Sequence, residues 1–272
     1  MFQPGEEGHD GARHMLDEGL LVTAAAGAQP VSMAFAIHQS PTIPSGVIAS
    51  KGDSLMASAD TFLVTVRGRG GHASMPHHTS DPIPIACEMV GAFQAMVTRR
   101  VDVFDPAVVT VARIQAGTTS NVIPESAELY GTVRTVSEKA RDAVLADIEQ
   151  VARGIAAAHG ATAEITVERG YPVTVNDPTA ARFALDTARA LLGPGRAIEM
   201  PNPVMGAEDW SYVLQQVPGS MAFLGTRPKG VAAHATAPNH SNRMVLDEDA
   251  MAVGIACYAG VALRWLAGGG ST

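Results

Sequence analysis

Residues 61–69 read TFLVTVRGR, and Phe62, Val64 and Val66 occupy every second position in this stretch. Successive side chains of an extended strand point to opposite faces, so the spacing predicts a β-strand with one apolar face. The residues that follow it are regular enough to predict a whole order of elements.

Two helices and three further strands are predicted after this first strand. The first helix is opened by Asp81-Pro82 and carries the apolar stripe Ile85, Met89, Phe93 and Met96, and strands at 108–115 and 127–136 follow it. The second helix is capped by Ser137, ends at Gly160 and carries the apolar stripe Val144, Ile148, Val151 and Ile155. A last strand is predicted at 163–169. The order β-α-β-β-α-β is that of the split-βαβ, ferredoxin-like unit. We therefore predict a small domain at residues 55–170.

The flanking segments, 1–54 and 171–272, predict a second, discontinuous domain with an α/β core. Its predicted elements are strands at 31–38 and 221–224, helices at 10–20 (capped by Asp10), 179–192, 207–216 and 247–266, a small-residue loop at 24–30 and a frayed tail at 268–272. His38 ends the first of these strands on its polar face. Ligand-binding groups collect at such strand ends in open α/β sheets.

Composition narrows the class of protein. The 272 residues are 46% apolar, and 19 basic against 27 acidic side chains give a net charge of -8. An acidic surface repels phosphate backbones, so no nucleic acid partner is expected. No uninterrupted run of 18 apolar residues or N-terminal leader is visible, so no membrane association is expected.

Cys87 and Cys257 form no CxxC pair, which predicts reduced core residues of a cytoplasmic protein.

Adjacent carboxylates, Glu6 and Glu7, stand just before the first predicted helix. The positive end of a helix dipole favours their ionised forms. Because neighbouring residues point in different directions, one carboxylate can bind a metal while the other faces a substrate. The alternative interpretation is a solvated acidic turn.

Two of the nine histidines fit a metal site together with a glutamate. His38 is predicted at a strand end, and His240 lies in the loop APNHS before the last helix. A glutamate and two imidazoles suit Zn, Mn or Co. A structural histidine remains the alternative for His38.

The small domain carries three further candidates. His72 lies in the glycine-rich turn GRGGHASMP, Asn121 in NVIP and Arg134 in GTVR. An arginine within a strand needs a partner, and a substrate carboxylate would provide a bidentate one. A solvated turn histidine and an intramolecular Asp or Glu partner for Arg134 are the alternatives.

Together these segments resemble the aminoacylase/carboxypeptidase-like metallopeptidases, in particular the amidohydrolase branch of hippurate, N-acyl-amino-acid and auxin-conjugate hydrolases. The matching segments, in family order, are Phe2-Gln-Pro-Gly-Glu-Glu7, Gly70-Gly-His-Ala-Ser-Met-Pro76, Asp81-Pro-Ile, Ser120-Asn-Val-Ile-Pro124, Gly131-Thr-Val-Arg134, Met205-Gly-Ala-Glu-Asp-Trp-Ser211 and His240-Ser. The resemblance implies a zinc-peptidase-like α/β/α catalytic domain with an inserted ferredoxin-like lid and dimerisation domain. It also implies hydrolysis of the amide bond of N-acyl amino acids or small peptides by a metal-activated water.

The resemblance also assigns roles to single residues. It implies Glu6 as the general base, and Glu7, His38 and His240 as ligands of a site for two divalent metals (Zn, Mn or Co). His72 would reach the active site of the neighbouring subunit in a homodimer and stabilise the oxyanion. The remaining implied roles are substrate contacts by Asn121 and Arg134 and a pocket wall at Gly206.

The sequence departs from the family at one place. A His-x-Cys-Gly-His-Asp segment that supplies further metal ligands in the family does not occur in it. We therefore expect a C-terminal fragment with an incomplete catalytic domain and an exposed sheet edge, which is an association hazard. The alternative function is a catalytically silent dimerisation or association module.

Overall fold

The structure is a computed structural model that describes residues 3–22 and 30–268. Phe2 of the first family segment, most of the small-residue loop predicted at 24–30 and the end of the predicted tail at 268–272 lie outside these ranges. The described residues form a mixed α/β fold with two compact units. Unit 1 holds the described residues up to Met56, Thr174–Val204 and those from Glu208 onward; unit 2 holds Ala57–Val173 and Met205–Ala207.

The elements have the following bounds within the described residues. The strands are β1 (Ala34–Pro44), β2 (Ile48–Ser50), β3 (Asp53–Met56), β4 (Asp60–Arg67), β5 (Gly71–His72), β6 (Ala107–Ala116), β7 (Val122–Ile123), β8 (Ser126–Thr135), β9 (Thr162–Arg169), β10 (Thr174–Asn176), β11 (Ala197–Glu199) and β12 (Gly219–Arg227). The α-helices are α1 (Gly11–Asp17), α2 (Pro82–Arg100), α3 (Glu138–Ala158), α4 (Pro178–Leu192), α5 (Ser211–Leu214) and α6 (Ala250–Ala267).

Unit 2 is built on a sheet with the strand order β6-β8-β4-β9, in which neighbouring strands are antiparallel. Its main elements follow one another as β4-α2-β6-β8-α3-β9. Phe62, Val64 and Val66 of β4 are buried against the apolar stripes of α2 and α3. The Phe62 ring meets that of Phe93 edge to face, with centroids 5.8 Å apart. The two-residue periodicity of residues 61–69 therefore does form one face of the core.

Side-chain caps hold the two long helices of unit 2 as predicted. The Asp81 carboxylate accepts from the Ile83 N–H at 3.0 Å, and the Ser137 hydroxyl accepts from the Ala140 N–H at 3.0 Å. Such bonds satisfy donors that a helix start otherwise leaves without a partner.

Unit 1 is built on a sheet with the order β1-β12-β2-β11. Successive residues of β12 enter different cores: Met221 and Phe223 pack with α1 and α5, whereas Ala222 and Leu224 pack with α4 and α6. Helices thus cover both faces of the sheet, which explains why every residue of β12 but the last is buried. β1 lies at one end of the strand order.

Three local predictions in unit 1 were wrong. β1 continues to Pro44, so His38 lies within the strand and not at its end. Asp10 has a left-handed backbone with φ of 50° and its side chain does not cap α1. The helix predicted at 207–216 is reduced to α5, because the chain before it turns its carboxylates into the interior.

The cysteines form no disulfide, as predicted, but only Cys257 is buried. Cys87 is exposed, since the buried stripe of α2 runs through Ile85 and Met89 on the other side of the helix.

Helix α6 is long and apolar enough to cross a membrane, by length and composition alone. Its 18 residues have a mean hydropathy of 1.6, and 22% of them are buried. The core helix of a soluble protein meets the same two criteria. Ala250 and Cys257 of α6 are buried in the core of unit 1.

Candidate metal and catalytic site

The carboxylates Glu6 and Glu7 lie on a tight turn that leads into α1. Gly5 and Gly8 take left-handed φ angles of 61° and 77°, and the Gly8 N–H donates to the Glu6 carbonyl at 2.7 Å. Glu6 is half-buried, whereas the side chain of Glu7 is 72% exposed. The two neighbours therefore face different environments, as separate roles would require.

His240 approaches Glu7 from the far end of the sequence. Its Nδ1 atom lies 3.7 Å from Oε1 of Glu7. His240 has a φ of 67°, which is uncommon for a residue with a Cβ atom. Non-glycine residues in such conformations cluster at functional sites. The structure thus brings together two of the three predicted metal ligands.

His38 is oriented by its own strand. Its Nδ1 lies 2.6 Å from the Gln39 carbonyl oxygen, so a neutral ring donates from Nδ1 and keeps the Nε2 lone pair. A metal-binding histidine typically donates its other N–H in this way. The Gln39 amide donates to the Asn239 side chain at 2.7 Å, which ties this strand to the residue before His240.

Glu208 and Asp209 complete an acidic group that sequence reasoning missed. Carboxylate oxygens of Glu6, Glu208 and Asp209 all lie within 4.8 Å of one another, and within the described residues this is the compact group suited to a metal ion. Glu208 is 6% exposed and Asp209 is fully buried. A signal existed, because Glu208-Asp209 repeats the adjacent carboxylates of Glu6-Glu7 and lies in a segment that resembles the family, but the pair was predicted only as part of a helix at 207–216.

The close carboxylates alter each other's protonation. Burial raises the pKa of Glu6, and the charges of Glu7 and Asp209 raise it further, while His240 and the Asp209 N–H oppose this. Burial, followed by the charge of Glu6, raises the pKa of Glu208 to about 8. A cation beside such a group favours the ionised forms. The arrangement is therefore suited to hold either a proton or a metal ion.

In unit 2, His72 and Asn121 are neighbours. His72 pairs with Val122 across β5 and β7, and the Ala73 N–H donates to the Asn121 carbonyl at 3.0 Å. The Ser74 N–H donates to Nδ1 of His72 at 3.1 Å. A neutral His72 therefore carries its proton on Nε2, where it can donate to an anion.

Arg134 lies half-buried on β8, opposite Val108. Among residues 3–22 and 30–268 it has no acidic partner, so an intramolecular pair does not account for it. Gly206 belongs to the same unit, where its carbonyl accepts from the Ala57 N–H at 2.9 Å. The roles predicted for these residues stay predictions.

Comparison with known proteins gives a consistent result. Residues 1–264 match the profile described as "Peptidase family M20/M25/M40". The chain is 36% identical to thermostable carboxypeptidase 2 of Saccharolobus solfataricus over 97% of this chain and 65% of that protein. It is 37% identical to N-acetylcysteine deacetylase of Bacillus subtilis, with the same coverage of 97% and 65%. IAA-amino acid hydrolase ILR1-like 2 of Arabidopsis thaliana is 34% identical over 98% of this chain and 58% of that protein.

A solved structure agrees with the sequence matches. The Bacillus subtilis YXEP protein, described as a dinuclear metal binding peptidase from the M20 family, superimposes with a TM-score of 0.76 at 34% identity. The match covers 97% of this chain and 63% of that one. The chain thus spans 58–65% of the length of these relatives. Since the family match extends over residues 1–264 of 272, the chain belongs to peptidase family M20/M25/M40.

Proposed function

We propose that this protein is a metal-dependent amidohydrolase that cleaves the amide bond of N-acyl amino acids or small peptides. The observation that carries the proposal is the half-buried Glu6 next to Glu7, whose Oε1 atom lies 3.7 Å from Nδ1 of His240. Relatives named as an N-acetylcysteine deacetylase and an IAA-amino acid hydrolase support the substrate class.

The residues present fit a site for divalent metal. Glu7 and His240 supply an exposed oxygen and nitrogen donor, and His38 presents Nε2 with its Nδ1 engaged. This mixture of carboxylate and imidazole suits Zn, Mn or Co. When bound, one or two such ions acidify water and polarise the amide carbonyl.

The protein's own residues account for the proton transfers. Glu6 takes a proton from water while the water oxygen attacks the carbonyl carbon of the amide. Glu6 then passes this proton to the departing amine as the C–N bond breaks. Nε2–H of His72 donates to the oxyanion, and Arg134 binds the substrate carboxylate by paired hydrogen bonds. Asn121 and Gly206 contribute further contacts to the substrate.

We further propose that unit 2 is a ferredoxin-like lid through which two copies associate, in a cytoplasmic homodimer. The strand order β6-β8-β4-β9 and the element order of unit 2 support the assignment. In such a dimer His72 serves the active site of the other copy.

Hydrolysis is tested on the purified protein with Zn²⁺, Mn²⁺ or Co²⁺ and a panel of N-acetyl and N-benzoyl amino acids, by measuring the amine released. Glu6→Gln should lower kcat by about 100-fold to 10,000-fold, the usual contribution of a general base. Glu18→Gln, an exposed carboxylate on the same part of the chain, serves as the control and should retain the rate. Equal rates for both variants and the wild type would exclude Glu6 as the base.

Mixing two inactive variants tests the proposed exchange between subunits. Glu6→Gln and His72→Ala are each expected to be inactive alone, while a mixed dimer contains one site with both residues intact. Activity should therefore return on mixing. No recovery in a mixture that demonstrably forms mixed dimers would assign His72 to its own subunit.

The second candidate function is a catalytically silent association module. It predicts dimers by light scattering, but neither Zn²⁺ binding nor amine release in the same experiments.

A further inference from the structure

Asp209 joins the two ends of the segment that carries Glu6 and Glu7. Its carboxylate is fully buried, and both of its oxygens accept hydrogen bonds. Oδ1 accepts from the Gln3 side-chain amide at 2.5 Å, and Oδ2 accepts from the Ala12 N–H at 2.8 Å. Gln3 precedes the pair of glutamates and Ala12 follows it, so one side chain fixes both approaches to the pair.

The segment between those anchors has a conformation that needs support. Gly5, Gly8 and Asp10 all have positive φ angles, and for Asp10 this conformation is strained. The turn is also tight, since a Cβ atom on Gly11 would lie 1.6 Å from the Pro4 carbonyl oxygen. Residues held in such a conformation persist only where the surroundings determine it.

The start of α1 shows the same dependence. Asp10 stands at the cap position, but its side chain forms no capping bond. The Ala12 N–H is one of the backbone donors that have no partner within the helix, and it donates to the Asp209 carboxylate instead. The helix after the glutamates is therefore anchored by a residue about 200 positions away.

We infer that Asp209 is a positioning residue, which holds Glu6 and Glu7 in working orientation through its bonds to Gln3 and Ala12. This inference rests on the proposed function, because it concerns the general base and a metal ligand assigned there. It differs from a direct ligand role for Asp209, which its place in the acidic group would also permit.

Asparagine separates the two roles. In Asp209→Asn the amide oxygen still accepts from Ala12, and the amide NH₂ donates to Gln3 once the Gln3 amide has turned to present its oxygen. Both anchors remain while the charge is lost. In Asp209→Ala both anchors are lost.

The first readout is the affinity of the purified protein for Zn²⁺ alone, by titration calorimetry. Asp209→Ala should bind Zn²⁺ about 10-fold to 100-fold more weakly, the usual effect of removing a residue that orients metal ligands. Asp209→Asn should stay close to the wild type, because the orientation is kept. The Zn²⁺ affinity of Gln3→Ala should lie between those of the two Asp209 variants. Adding Gln3→Ala to Asp209→Ala should weaken Zn²⁺ binding little further, since the two residues act through one contact.

The second readout is kinetic. With the best substrate of the N-acyl panel, Asp209→Ala should lower kcat by about 100-fold with little change in KM, because misplacement affects the chemical step. Asp209→Asn should restore most of kcat. The matched control is Asp60→Asn, an equally buried aspartate in unit 2, which should lower the unfolding midpoint without changing Zn²⁺ affinity.

The outcomes are distinct. If Asp209→Asn is as damaging as Asp209→Ala, the charge or direct ligation matters and the positioning role is wrong. If Asp209→Ala and Gln3→Ala bind Zn²⁺ and turn over like the wild type, the role is equally wrong, while the proposed function stands. If the wild type binds no Zn²⁺ and Glu6→Gln changes nothing, the proposed function fails and the inference fails with it.

Discussion

Glu208→Gln should stabilise the metal-free protein, and by an amount that grows with pH. Glu208 is 6% exposed, and burial followed by the charge of Glu6 raises its pKa to about 8 from an ordinary value of 4.5. Between these two values the folded chain binds more protons at Glu208 than the unfolded chain. The free energy of unfolding of the wild type must therefore fall as pH rises through this window. Glutamine keeps the shape and never ionises, so it avoids the loss.

The magnitude follows from the two pKa values. They differ by about 3.5 pH units, and about 1.4 kcal/mol per pH unit gives an upper limit of about 5 kcal/mol, reached only above pH 8. Near pH 5 the free energies of unfolding of the two proteins should differ little, because pH 5 lies at the start of this window. By about pH 6, roughly half of the limiting difference should still be undeveloped.

The assay is urea unfolding in the presence of EDTA at intervals from pH 5 to pH 9. Trp210 and Trp265 both belong to unit 1, so tryptophan fluorescence reports the unit that contains Glu208. Glu248→Gln, an exposed carboxylate of the same unit, serves as the control and should follow the wild type at every pH. A stability difference for Glu208→Gln that is flat, or that shrinks toward pH 9, would refute the reasoning.

Three further predictions concern other parts of the chain. Gly131→Ala should lower the free energy of unfolding, measured in urea, by about 1–3 kcal/mol, the usual cost of overpacking. A Cβ atom at this position would lie 2.3 Å from a buried phenylalanine ring. Gly91→Ala is the matched control and should cause no loss, because the space around Gly91 is open. Arg134→Gln should raise KM for N-acyl amino acids by about tenfold or more, as expected for loss of a charged hydrogen bond, and KM for substrates amidated at the carboxylate should change little. In the native protein a thiol reagent should modify Cys87 quickly and Cys257 only on unfolding, because burial both shields Cys257 and raises its pKa; equal rates would contradict the structure.

Much of unit 2 could be predicted from the sequence, because its elements are long and periodic. The alternation of Phe62, Val64 and Val66 and the stripes of α2 and α3 are repeated often enough to identify strands and helices. Asp81 and Ser137 cap those helices through bonds to residues two or three positions away, which local sequence can specify.

Unit 1 was harder to predict for the opposite reason. Its strands β2, β10 and β11 have three residues each, too few for any periodicity to show. The predicted helix at 207–216 failed because an acidic dipeptide at a helix start has two possible environments. Only the tertiary contacts of Asp209 decide that it is buried, and those contacts lie about 200 residues away.

Contacts between distant parts of the sequence also explain why Glu208 was not predicted as a member of the site. Glu6, Glu7, His38 and His240 were predicted as site residues from residue types that suit metal chemistry and from the segments that resemble the family. Glu208 acquires its properties only on folding, when burial and the charge of Glu6 favour its protonated form. A carboxyl group that must lose its proton before a cation can bind beside it links metal affinity to pH. The burial that raises its pKa therefore also destabilises the metal-free fold as pH rises from 4.5 to about 8. A bound cation offsets that loss by favouring the ionised carboxylates.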